Sequence, residues 1–168
     1  MLGLLAVIWG FFGISFIFGN AILRLGEIGF DTFSYPLSWL HWLALVVSVL
    51  FMGFSEGYRG FQQGYAPRVA ARLLFLKNNA TPIRIILAPL FCMGFFDIQR
   101  KRMIVSYCLL GGILVLVQLV HLLDQPWRGI VDLGVVVGLT WGSISIVLFT
   151  LKAFFTDKFE HSPEMPTR

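Results

Sequence analysis

From Met1 to Leu23 the chain carries no charged residue. As a helix, 23 residues rise about 35 Å, enough to cross the ~30 Å hydrocarbon core of a bilayer. Three more apolar runs follow, at 36–54, 103–123 and 130–151, and the last alone contains an acid, Asp132. Charged residues make up 13% of the 168 positions, against about 25% in a soluble domain. The expected fold class is an all-α integral membrane protein. Four transmembrane helices, 2–23, 36–54, 103–123 and 130–151, form a single polytopic domain over 1–151, followed by a tail over 152–168. No Lys or Arg precedes the first run and no small-residue cleavage site closes it, so it is expected to be a retained helix and not a signal peptide.

The main polar interruption is Ser55 to Arg84, in which Arg59, Arg68, Arg72, Lys77 and Arg84 meet a single acid, Glu56. Basic segments that flank apolar spans lie on the cytoplasmic side. Within the basic segment 55–82, Pro67 to Lys77 has the pattern of a short amphipathic helix. Arg68 and Arg72 fall on one face, with Val69, Leu73 and Leu76 on another. Arg59, Arg68, Arg72 and Lys77 are accordingly candidates for binding anionic lipid headgroups or an acidic partner.

Residues 83–96 form an apolar stretch broken by Pro89 and too short to span, since 14 residues rise about 21 Å. If this segment crossed, the basic residues would divide six against seven. If it enters and returns, or lies in the interface, eleven fall on one side and only Arg24 and Arg128 on the other. The second arrangement follows the positive-inside rule. It predicts a Pro-kinked half-span at 83–96 and cytoplasmic termini, with the bacterial inner (plasma) membrane as the expected location.

Several stripes call for protein neighbours. Ser38, His41, Ser48 and Ser55 share a face of the second span, as do Tyr107, Gly111, Leu114, Gln118 and His121 on the third. Polar groups on such faces are poorly matched to lipid. Gly3, Ala6, Gly10 and Gly13 on the first span, and Gly134, Gly138 and Gly142 on the last, are small-residue ridges suited to close helix packing.

His41, His121 and Asp132, with Gln118 nearby, are polar groups on apolar helices at similar predicted depth. Intramembrane ionisable groups are functional candidates. Two histidines on separate helices have the makings of a b-haem site; a histidine and an aspartate can hold a quinone headgroup or relay protons. Cys92 and Cys108 lack metal-site or disulfide spacing, and the basic residues adjoin apolar spans instead of forming a nucleic-acid surface. No HExxH, Walker or Ser-His-Asp pattern is present, so soluble-type catalysis has no foothold.

These features favour an accessory or assembly subunit of a larger membrane complex, with anionic lipids and other membrane subunits as partners. A b-haem or quinone-linked electron-transfer subunit is the alternative, and a small transporter the third. The topology is checked by single-cysteine labelling in a background lacking Cys92 and Cys108. A cysteine placed beside Arg100 should react from the cytoplasmic side only, and reaction from the outside alone would restore a full crossing at 83–96.

Overall fold

The structure, a computed structural model, describes residues 1–156 and 159–166 and is helical throughout its regular elements. Helix α1 (Leu2–Asp31) ends in a short 3₁₀ turn, Thr32–Ser34. Helix α2 (Trp39–Met52) runs without a break through a π-helical segment, Gly53–Tyr65, into α3 (Ala66–Asn78). Two short helices, α4 (Pro82–Ile86) and α5 (Ala88–Met93), precede α6 (Arg100–His121) and α7 (Trp127–Phe155). Among the described residues, four helical stretches are long and apolar enough to cross a membrane: Leu2–Ser34, Trp39–Asn78, Arg100–His121 and Trp127–Phe155.

The second of these departs most from expectation. Its 40 residues rise about 60 Å, twice the hydrocarbon thickness, so the expected amphipathic helix at 67–77 is the far end of one rod. It is not a surface element either. Eight of the thirteen residues of α3 are buried, among them Val69, Leu73, Leu76 and Arg72. Four glycines in thirteen residues weaken the preference for α geometry between Gly53 and Tyr65. The wider i→i+5 spacing adopted there is rare at this length.

The start of α2 differs in a smaller way. Pro36 does not open the helix; Ser38 caps it, and the His41 ring nitrogen Nδ1 accepts a hydrogen bond from the Ser38 N–H at 3.1 Å. This is a capping box with histidine at the third position.

Helices α1, α2–α3 and α7 form the body of the molecule. α7 runs alongside α2–α3 in the same direction: Ser48 bonds the Ile130 carbonyl at 3.1 Å, and the Trp141 indole donates to Gln62 Oε1 at 2.7 Å further down. α1 runs opposite to both. Its far end meets the start of α7 where Gly29 faces Leu133, while Gly3 lies against Lys77. Lys77 in turn stands 5.5 Å from the Phe154 ring. One end of the molecule thus gathers the start of α1 and the ends of α3 and α7. The opposite end gathers the turns at 32–38 and 122–126, bridged by the Thr32 hydroxyl donating to Gln125 Oε1 at 3.1 Å.

Residues 83–96 are two short helices divided at Leu87, with Pro89 in the first turn of α5. They pack on α1, where Gly10 leaves room for Ala88 and Cys92 and Gly13 for Pro89, and the Trp9 indole donates to the Ile86 carbonyl at 3.2 Å. α5 stops at Gly94, whose φ of 84° is readily available only to a residue without a side chain. The core centres on Ala6, Ile14, Val69, Leu73, Leu76 and Phe91. α6 stands outside it, with none of its 22 residues buried.

Both small-residue ridges are used within the chain. Gly134 receives Ser48, Gly138 receives Met52 and Glu56, and Gly142 receives the Phe61 ring. Gly142→Ala should therefore overfill the α7 contact and cost about 1–3 kcal/mol. Gly111→Ala and Gly112→Ala on α6, where nothing lies within 4 Å of an added methyl, should be neutral or stabilising by up to about 1 kcal/mol. Thermal unfolding of the detergent-solubilised variants distinguishes the two sets.

Candidate functional site

At the end near the 32–38 and 122–126 turns, the histidines lie on either side of the start of α7. The His41 ring meets Trp127 edge to face, with centroids 4.8 Å apart. His121, the last residue of α6, lies 3.3 Å from Arg128 Nη2 through its Nε2, and its Nδ1 is 2.9 Å from the Val117 carbonyl. A carbonyl can only accept, so His121 carries its proton on Nδ1 and accepts the guanidinium bond on Nε2. For His41 the Ser38 N–H can only donate, which makes Nδ1 the acceptor and leaves the proton on Nε2. In this arrangement Ser38 engages one ring nitrogen of His41 and Arg128 one of His121.

Asp132 is only 5% exposed. Its Oδ2 lies 3.9 Å from Arg128 Nε, an ion pair too long for a hydrogen bond, and neither atom has another partner among the described residues. Arg128 thus stands between His121 and Asp132 as the common neighbour of both. Gln118 does not join them: it is exposed on α6. Among the described residues, no group of three or more His, Cys, Asp or Glu side chains could hold a metal ion.

The basic candidates separate from one another. Arg59 is exposed on the π-helical segment and Lys77 is exposed at the end of α3. Arg68 is partly buried, its Nε donating to the Gly64 carbonyl at 2.7 Å. Arg72 turns inward and is 1% exposed, against the expectation that it shares an outward face with Arg68. The reason is the set of acceptors waiting inside. Arg72 Nε donates to Phe91 O at 2.7 Å, Nη2 to Phe96 O at 2.9 Å and Asp97 O at 3.2 Å, and Nη1 to Pro163 O at 2.9 Å. The guanidinium carbon also lies 4.0 Å from the centre of the Phe91 ring. This buried cation is held by carbonyl dipoles and an aromatic face, with no carboxylate within ion-pair distance among the described residues.

Around Arg72 the other charges pair off. Arg84 binds Asp97 through both Nε, at 2.7 Å, and Nη2. Glu164 receives Arg102 at 3.1 Å and stands 4.0 Å from Arg68. Glu164 and Arg102 were not among the site residues expected from the sequence, because nothing local in SPEMP marks it as a segment that returns to α3. The tail folds back through 159–166; residues 157–158 and 167–168 of it lie outside the described residues.

Arg72→Ala should take the guanidinium donors from four carbonyls, that of Phe91 keeping the Gly94 N–H, and cost about 3 kcal/mol or more. Arg72→Lys keeps the charge but cannot reproduce the planar fork, and should cost about half as much. Thermal unfolding measures the first effect, and faster proteolytic trimming of the C-terminus should accompany it as the Pro163 anchor is lost. Comparison of the chain with protein-family models, curated proteins and solved structures found no match.

Proposed function

We propose that the chain is a small polytopic membrane protein acting as an accessory or assembly subunit of a larger membrane complex, and that α6 is the helix through which it docks. The observation that carries this reading is the bare stripe on α6. Gly111, Leu114 and Gln118 share a face that nothing among the described residues covers, and all three are exposed. A glutamine amide within an apolar helix needs a hydrogen-bonding partner, and lipid hydrocarbon offers none. Adjacent glycines at 111 and 112 with open space around them let a second backbone approach closely. The partner that fits is a transmembrane helix with small residues and a polar side chain at matching depth.

The internal use of both glycine ridges moves the docking surface from those ridges to α6. In this reading the end that carries Lys77, Arg84 and Arg100–Arg102 faces the cytoplasm of a bacterial cell, together with both termini. The exposed Lys77 remains available there for anionic lipid, and the exposed Arg59 further up the same rod.

Gln118→Leu and Gly112→Leu are the test. Each should leave thermal stability in detergent unchanged, since neither side chain is packed, yet should shift the chain from a larger species to a free one on blue-native gels. Unaltered migration of both variants would place α6 against lipid and remove the support for a docking role.

A further inference from the structure

The geometry points to an anionic-phospholipid site at Arg68, Arg72 and Arg102 that the chain's own tail occupies, with Glu164 standing in for the lipid phosphate. Four guanidinium groups converge there, those of Arg68, Arg72, Arg84 and Arg102, against two carboxylates, Asp97 and Glu164. Asp97 is committed to Arg84, which leaves Glu164 as the counter-charge for Arg68 and Arg102 among the described residues, while Arg72 beside them has only carbonyls. Glu164 serves those two imperfectly. One of its oxygens is buried without a hydrogen bond, 4.0 Å from Arg68. Its backbone is held at φ 52°, a left-handed conformation uncommon for a residue with a side chain.

The fit to a lipid phosphate follows from what tail withdrawal would expose. Arg72 Nη1 would lose the Pro163 carbonyl, and a buried guanidinium donor deprived of its acceptor favours a new one strongly. A phosphate diester offers several acceptor oxygens and suits arginine forks better than one carboxylate does. Leu90, Ile104 and Val105, which lie beside the cluster in sequence, are exposed apolar side chains against which acyl chains can rest. A soluble phosphate would leave that apolar surface unused. The tail and the lipid therefore compete for the same arginines.

Tail release can be read with a spin label at Ser162→Cys in a Cys108→Ser chain; Cys92 is buried and stays in place. The labelled protein is reconstituted into phosphatidylcholine vesicles with increasing phosphatidylglycerol. The label should change from immobilised to mobile as phosphatidylglycerol rises. Glu164→Gln should lower the content needed for half release about fivefold, the worth of one charge near an anionic surface. The same variant should retain about fivefold more phosphatidylglycerol through purification, and adding Arg68→Gln with Arg102→Gln should cancel that gain. A label that stays immobilised at every lipid composition, with no extra lipid on Glu164→Gln, would show the tail to be a permanent part of the fold. Release by inorganic phosphate in pure phosphatidylcholine vesicles would overturn the lipid as the ligand.

Discussion

A full positive charge with almost no contact with solvent sets the terms for one half of this molecule. Burying a guanidinium is costly unless its donors are met. Arg72 meets them with carbonyls from three separate places: the end of α5, the loop after it and the tail. Phe96 and Asp97 lie in the irregular loop between α5 and α6, and Pro163 lies in a tail without regular secondary structure, so their carbonyls are available, while the Phe91 carbonyl near the end of α5 is shared with the Gly94 N–H. The irregular backbone and the buried cation therefore satisfy each other, and α5 is tied to α3 by the same interaction.

The other half depends on α7 instead. Its glycines at 134, 138 and 142 lie opposite Ser48, Glu56 and Phe61, so small residues there accommodate serine, a carboxylate side chain and an aromatic ring in succession. Trp141, between these glycines, donates to Gln62 and packs on Gly57. The polar residues of the π-helical segment are thus placed against the middle of an apolar helix, which explains how a stretch rich in Gly, Gln and charge continues as helix. Close backbone approach supplies the contact where apolar burial alone offers little drive.

Much of the architecture was legible in the chain because uncharged runs of membrane length admit few alternatives. Leu2, Arg100 and Trp127 begin helices close to where the charge pattern places them. Two features were not. The 53–65 segment looks like a connector, and its i→i+5 spacing slips the side-chain phase. Ser55, predicted to share a face with Ser48, consequently bonds its own helix at the Phe51 carbonyl while Ser48 reaches α7. Arg72 looks like a surface residue because periodicity reports which residues share a face, but not whether distant segments cover that face. The cover comes from residues about twenty and ninety positions away. The capping role of His41, by contrast, was visible in principle: Ser38 stands three residues before it, the spacing of a capping box.

The bond between Arg72 and Pro163 also imposes an order on synthesis. A ribosome releases Arg72 long before it makes residue 163, so α3 must wait with one donor unmatched while α6 and α7 are still being threaded into place. During that interval the cation has water or lipid headgroups for company, and its final burial is among the last events of assembly. A chain truncated just ahead of Ser162 would thus contain every long helix and still be unable to complete its own interior.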